Sequence, residues 1–122
     1  MSGDGIAELK RSGLSMTSTN TLGNGSGDNV ILTRKAGCTI HAVWTGTPTG
    51  TFYVEVSNDF DRDRNTGNWE SINALIVPAL PAVAGAAGSF AINLDGLRYR
   101  FIRLRYVNAS GTGTLAYTIM AW

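Results

Sequence analysis

Acidic side chains at alternating positions mark the segment from residue 59 to residue 70. Asp59, Asp61 and Asp63 precede an asparagine at position 65, and Glu70 closes the segment. The order matches the oxygen ligands at positions 1, 3, 5, 7 and 12 of a calcium-binding loop. Arg64 stands at position 6, where such a loop needs glycine, and no helix is expected on either side. We therefore interpret the segment as a solvated loop, keep the four carboxylates only as metal candidates, and expect no cofactor.

The other groups that could do chemistry do not form a catalytic set. Cys38 and His41 are three residues apart, so on a strand they point to opposite faces. A cysteine nucleophile needs a nearby base, and we interpret Cys38 as a buried apolar residue. Glu55 and Glu70 lie on different predicted strands, and no G-x-S-x-G motif is present. We expect no catalytic residues and no enzyme activity.

The composition favours a β-rich domain with few surface charges. The 122 residues are 43% hydrophobic and 16% charged, with 15 glycines; soluble domains are typically about 25% charged. A net charge of +1 gives no basis for nonspecific nucleic-acid binding, which requires a cationic excess. The apolar run over residues 74–87 contains two prolines and is too short to span a membrane. Neither nucleic acid nor a membrane is an expected partner.

Alternating apolar and polar residues predict about eight short strands. Turn signals recur roughly every ten residues, as in an antiparallel β-sandwich or jelly roll. Residues 39–57 and 97–122 each read as a hairpin, and residues 69–76 read as a strand. We predict an all-β, jelly-roll-like sandwich over residues 14–122, preceded by a flexible N-terminal arm over residues 1–13.

Two surfaces are candidates for binding a protein partner. The first consists of four arginines: Arg98, Arg100, Arg103 and Arg105. Their spacing places the two pairs on opposite faces unless a β-bulge intervenes. Arginine is common at interface hot spots; the alternative is that the guanidinium groups lie over aromatic neighbours such as Tyr99 and Tyr106. The second surface belongs to the apolar connection and consists of Ile76, Val77, Leu80 and Val83.

The three tryptophans allow a different interpretation. Trp44, Trp69 and Trp122 would form a platform for sugar rings if they shared one exposed face. Each also begins or ends a predicted strand, where packing in the core or at an interface explains it equally well. Carbohydrate is therefore a partner only under an alternative function.

Several segments of the chain resemble small virion proteins of tailed bacteriophages. They are residues 44–47 (WTGT), 50–59 (GTFYVEVSND), 68–69 (NW), 99–104 (YRFIRL) and 110–115 (SGTGTL). The resemblance is to head decoration (cement) proteins and covers most of residues 39–122. It implies a jelly-roll-like sandwich that clamps neighbouring capsid subunits and has no catalytic residues.

The expected partners are therefore the major capsid protein, further copies of the chain, or both. The expected location is the virion, assembled in the host cytoplasm. An accessory module of the tail or neck, and a host-recognition module that binds carbohydrate, are the alternatives.

Overall fold

The computed structural model describes residues 6–122, which form ten antiparallel strands in two sheets. The strands are β1 (Ala7–Met16), β2 (Thr21–Leu22), β3 (Val30–Ile31), β4 (Gly37–Gly46), β5 (Thr49–Ser57), β6 (Glu70–Ser71), β7 (Val83–Ala84), β8 (Gly88–Asp95), β9 (Phe101–Ser110) and β10 (Gly113–Ala121). One 3₁₀ turn, Asn73–Leu75, lies between β6 and β7. No helix in this part of the chain has the length and apolar character to cross a bilayer.

The two sheets have the strand order of a jelly roll. The first is β1-β10-β4-β8 and the second is β2-β9-β5-β6, with β3 also paired to β9 and β7 to β5. At two places in the second sheet, two short strands together take the place of one long strand. β2 and β3 both pair with β9, and β6 and β7 both pair with β5. Counted as positions, the chain has eight strands, four in each sheet, with the order of a long antiparallel hairpin rolled into two sheets. The predicted jelly-roll-like sandwich is confirmed.

Both predicted hairpins are wrong, because each turn carries the chain from one sheet to the other. β4 and β10 pair in the first sheet, whereas β5 and β9 pair in the second. Gly46 pairs with Gly113, and Thr49 pairs with Ser110. The connection from β4 to β5 and the connection from β9 to β10 therefore run side by side where the chain passes between the sheets, at what we call the corner. Alternation identifies the buried face of a strand but not its hydrogen-bonded neighbour, and the sequence pattern therefore fits both arrangements.

The corner requires glycine at close contacts between the two connections. Gly111 has φ +73°, and a Cβ there would collide with the carbonyl oxygen of Thr47. A Cβ on Gly46 would lie 2.5 Å from the carbonyl oxygen of Thr112. Only a residue without a side chain lets the backbones approach this closely at positive φ.

Two predicted boundaries also differ from the structure. Residues 7–13, assigned to a flexible arm, instead belong to β1, which pairs with β10 from Ala7 to Met16. Leu9 and Leu14 pack from β1 against the core, which explains why this segment is ordered on the sheet. Residues 1–5 of the predicted arm lie outside the described residues. Of residues 69–76, only Glu70–Ser71 forms a strand.

The core fills the space between the sheets and contains the aromatic rings of both. Phe52 lies at its centre, with ring centroids 5.2 Å from Trp44, 5.2 Å from Phe90 and 4.7 Å from Tyr106. The indole Nε1 of Trp44 donates a hydrogen bond to the carbonyl oxygen of Ala86 at 3.0 Å. Tilted and edge-to-face rings at such distances add to the stabilisation from burial. Trp44 is therefore a core residue.

Candidate functional site

Arg103 and Arg105 lie on the outer face of the second sheet and share one carboxylate. β9 pairs with β5 so that Arg103 lies opposite Glu55, and Arg105 lies opposite Tyr53. The Arg103 Nη2 is 2.8 Å from Glu55 Oε1, and the Arg105 Nε is 3.1 Å from Glu55 Oε2. The Glu55 side chain is only 8% exposed. Both of its carboxylate oxygens are thus engaged, and part of the local positive charge is offset.

Aromatic rings cover both of these guanidinium groups. The Arg103 Cζ lies 4.2 Å from the centroid of the Trp69 ring, and the Arg105 Cζ lies 4.6 Å from that of Tyr53. The interpretation that the arginines lie over aromatic rings is confirmed for these two and for Arg100, whose Cζ lies 5.9 Å from the centroid of the Phe101 ring. The rings are not the expected ones, because Tyr106 points into the core.

Arg98 and Arg100 are separate from this pair. Both are exposed and precede β9, which begins at Phe101. The backbone N–H of Arg100 donates to Asn58 Oδ1 at 2.9 Å, and its Nη1 lies 3.4 Å from the carbonyl oxygen of Asn58. These bonds attach the turn before β9 to the loop after β5. The four arginines therefore do not form one continuous docking strand.

The carboxylates of the 59–70 segment bond within their own loop. Asp59 accepts hydrogen bonds from the backbone N–H of Asn68 at 2.8 Å, from Asn68 Nδ2 at 2.7 Å and from the Ser57 hydroxyl at 3.0 Å. These bonds, the backbone one first, lower the pKa of Asp59 below its ordinary value. The carboxylate of Asp61 accepts from the backbone N–H groups of Asp63 and Arg64. The bonds are typical of a loop that holds its own turn.

The four candidate metal ligands are not brought together. Glu70 is exposed and lies in β6, beyond the self-bonded loop of Asp59 and Asp61. Within residues 6–122, no group of three or more histidine, cysteine, aspartate or glutamate side chains has the arrangement to hold a metal ion.

Cys38 and His41 lie on opposite faces of β4, as the spacing predicts. Cys38 is buried in the core, and this burial raises the pKa of its thiol to about 12. His41 is exposed on the outer face. At neutral pH the cysteine is therefore a protonated thiol with no imidazole beside it, which confirms its interpretation as a buried apolar residue.

The tryptophans do not share an exposed face. Trp44 is in the core, and Trp69 lies half-buried between Arg103 and Phe60, its ring centroid 5.0 Å from that of Phe60. Trp122 is 37% exposed at the end of the chain. The structure therefore removes Trp44 from any sugar platform.

Asn73 diverts the chain after β6 away from the second sheet. The backbone N–H of Ile72 still donates to the carbonyl oxygen of Val54 at 2.8 Å. Beyond it, the Asn73 side chain replaces the backbone as the partner of β5: its Oδ1 accepts from the Val54 N–H at 2.8 Å, and its Nδ2 donates to the Phe52 carbonyl at 2.9 Å. The following residues are thus free to leave the sheet before β7 rejoins it.

This excursion forms one wall of an apolar groove of about 810 Å³. The chain from Ile72 to Pro81 forms that wall, and residues 89–95 of β8 form the other. β8 is the edge strand of the first sheet, so one of its sides carries no partner strand in the described structure. Asp95 is the one charged residue among those that line the groove. The groove is an opening into the side of the sandwich.

The four apolar candidates of the connection divide between this groove and the core. Ile76 and Val83 are buried, and Leu80 is partly buried. Val77 is 90% exposed, and its neighbour Leu75 is 69% exposed. Val77, Leu80 and Ile76 all line the groove. The connection thus presents its apolar surface mainly through Leu75 and Val77.

The residues of β8 also belong to this surface, although the sequence pattern did not identify them as binding residues. Phe90, Ile92 and Leu94 alternate as expected for an inward face, but Ile92 and Leu94 are only partly buried because the sandwich is open beside them. One feature of the sequence could have indicated a binding edge: the outward-facing residues Ser89, Ala91 and Asn93 carry no charge. Uncharged residues along a strand leave its edge unprotected if that strand is at an edge.

The chain matches no model of a known protein family, and no curated protein has a significantly similar sequence.

Proposed function

We propose that this protein is a non-enzymatic structural module that binds other protein chains, and specifically that it is a decoration protein of a tailed-bacteriophage head. The observation that carries the proposal is the groove beside β8. An open strand edge lies next to apolar side chains, and the exposed Leu75 and Val77 stand at the rim. Exposed apolar surface next to an unpaired edge is typical of a site that binds another chain.

The side chains that could act as acids, bases or nucleophiles are already bonded within the fold or buried, which supports a structural role. The Glu55 carboxylate binds two arginines, Asp59 binds the backbone and side chain of Asn68, and Cys38 is a buried thiol. An acid, base or nucleophile must reach a substrate in a cleft. The groove is instead lined mainly by apolar side chains, and its polar members are Ser89, Asn93 and Asp95.

The resemblance to head decoration proteins and the jelly-roll order support the specific assignment. Under this proposal, the apolar connection packs against capsid subunits or a symmetry mate, and the exposed Arg98 and Arg100 fix the orientation through polar contacts at the end of the sandwich. Sugar binding has less support, since Trp44 lies in the core.

Co-sedimentation with undecorated heads tests the proposal. The wild-type chain is expected to sediment with the heads, and Val77→Asp is expected to weaken binding, because it places a charge at the apolar rim. Val43→Asp is the matched control: Val43 is 42% exposed on the outer face of β4 and is not one of the residues that line the groove, so binding should persist. Wild-type protein that stays in the supernatant at saturating concentration contradicts the proposal.

A further inference from the structure

We infer that β8 pairs edge to edge with β8 of a second copy of this chain, through residues 89–95. The inference rests on the proposed function in one respect only, namely that the groove binds protein. It adds the identity of the occupant and the register in which it binds.

The two edges of the first sheet differ in how they are protected. β1 carries Glu8, Lys10 and Arg11, and its register shifts between Arg11 and Leu14. Charges and bulges are the devices that keep an edge strand from pairing with another chain. β8 pairs with β4 without a register shift, and its charge is confined to Asp95 at its end. The sheet is thus closed to pairing at β1 and open at β8.

The alternation of β8 makes it complementary to itself. Antiparallel pairing must keep inward residues opposite inward residues, because a shift by one residue would exchange the faces. The groove-lining stretch 89–95 has Ile92 at its centre. Pairing about that residue places Ile92 opposite Ile92 of the copy, and Phe90 opposite Leu94. The large apolar side chains of both copies then meet on the inner face.

The charges permit such a pair. Asp95 is the one charge along the groove, which disfavours a charged peptide as the occupant. In the register centred on Ile92, the two Asp95 side chains lie at opposite ends of the paired strands, roughly 20 Å apart at about 3.4 Å per residue. That separation exceeds the screening length of about 8 Å at physiological salt. A second copy therefore brings no like-charge repulsion into the groove.

The exposed side chains beside β8 supply apolar area beyond the strand pair. Strand pairing over seven residues is a small contact compared with the area of about 800 Å² per partner of a stable interface. A two-fold axis perpendicular to the first sheet brings the two grooves together, so Leu75 and Val77, both largely exposed in one copy, gain cover from the other. Their exposure is explained if the dimer is the form that buries them.

Sedimentation equilibrium of the purified chain tests the inference. The wild-type protein is expected to have the mass of a dimer. Ala91→Lys combined with Asn93→Lys is expected to give a monomer, because these exposed residues would place four lysines side by side across the pair. The control adds the same two charges to the protected edge, with Ser12→Lys and Ser15→Lys on β1, and should remain a dimer. A wild-type monomer, or a dimer that persists in the β8 variant, overturns the inference.

Cysteine cross-linking tests the register. In the proposed pair, residue 91 lies opposite residue 93 of the copy at a Cα separation of about 4.5–5.5 Å, which a disulfide can bridge. A mixture of Ala91→Cys and Asn93→Cys proteins should form a mixed disulfide under mild oxidation. Asn93→Cys alone should not, since its two copies lie on a diagonal of about 7–8 Å. The native Cys38 is buried and should not compete. Cross-linking of Asn93→Cys to itself in preference to the mixture overturns the register.

The dimer mass and the co-sedimentation of the wild-type chain with heads are measured separately and can fail separately. A monomer that co-sediments with heads removes the second copy as the occupant and leaves the proposed function standing. A dimer that does not co-sediment with heads contradicts the proposed function and leaves the pairing of β8 standing. A foreign polypeptide that binds at β8 while the chain remains monomeric also overturns the inference. The decisive experiment is the comparison of dimer mass between the β8 and β1 lysine variants, with loss of the dimer expected in the first alone.

Discussion

Glu55 and Arg103 lie directly opposite each other on β5 and β9, and their side chains form an ion pair of 2.8 Å on the outer face of the second sheet. Arg105 binds the second oxygen of the same carboxylate. A strand that looks cationic in the sequence therefore has part of its charge offset in the fold. This arrangement argues that Arg103 and Arg105 serve the stability of the sheet.

Replacing Glu55 should destabilise the protein strongly. In Glu55→Gln, Arg103 and Arg105 lose their shared counter-charge while they remain largely buried, and breaking such a pair typically costs about 3 kcal/mol. Urea unfolding measures the change in the free energy of unfolding. The control is Asp61→Asn, whose ion pair with Arg64 is 3.9 Å long and exposed, and which should change stability by less than about 0.5 kcal/mol. Equal effects from the two variants would count against this role for Glu55.

Two glycines of similar backbone conformation should respond differently to alanine. Gly111 and Gly96 have φ angles of +73° and +70°, but a Cβ meets the Thr47 carbonyl at Gly111 and nothing within 4 Å at Gly96. Gly96→Ala should cost about 1 kcal/mol from backbone strain alone. Gly111→Ala should cost clearly more, because the corner must also move. Thermal unfolding of the two variants compares these costs, and a similar loss in both would refute the proposed close packing of the corner.

Removing the Asn73 side chain should loosen the wall of the groove. Asn73→Ala leaves the Val54 N–H and the Phe52 carbonyl without their partner, and unsatisfied buried groups cost about 1–3 kcal/mol. Hydrogen exchange of the Val54 amide should become faster in this variant. The control is Asn58→Ala, which removes an exposed bond to the Arg100 N–H and should leave Val54 protected. Unchanged Val54 exchange in Asn73→Ala would contradict the role given to this side chain.

The hydrogen bonds to Asp59 give a prediction for its titration. They lower its pKa in the folded protein below the ordinary value of 3.8. Their contribution to stability is therefore present at neutral pH and is lost as the pH falls through the folded-state pKa. Asn68→Ala removes the side-chain bond but keeps the backbone one, so the pKa should rise part of the way back. Carboxyl chemical shifts measured by NMR report both values, and an Asp59 that titrates above 3.8 in the wild type would be inconsistent with this loop geometry.

The sequence predicts the faces of the strands but not their neighbours. The alternation of Cys38, Ile40, Ala42 and Trp44 identifies a buried face, which the structure confirms. The same pattern cannot tell a hairpin from a turn between sheets, because both connect strands with one apolar face. Residues 7–13 of β1 were assigned to the arm for a related reason: Leu9 and Leu14 are separated by a register shift, which interrupts the period of two.

For the candidate site too, the sequence predicts the local features but not those that depend on strand pairing. The apolar connection is evident from composition, and Val77 lies on the surface where a binding residue must be. The edge position of β8 depends on which strands pair, and no local pattern contains that information. Glu55 and its arginines are 48 and 50 residues apart in the chain, so their interaction also depends on the fold.

The copy number of this chain in purified phage particles tests the central claim most directly. A decoration protein occupies sites that the shell repeats by symmetry, so quantitative mass spectrometry against the major capsid protein should find on the order of hundreds of copies in each particle. A count of about a dozen or fewer would place the chain at the portal, neck or tail, and its absence from the particle would contradict a structural role in the virion.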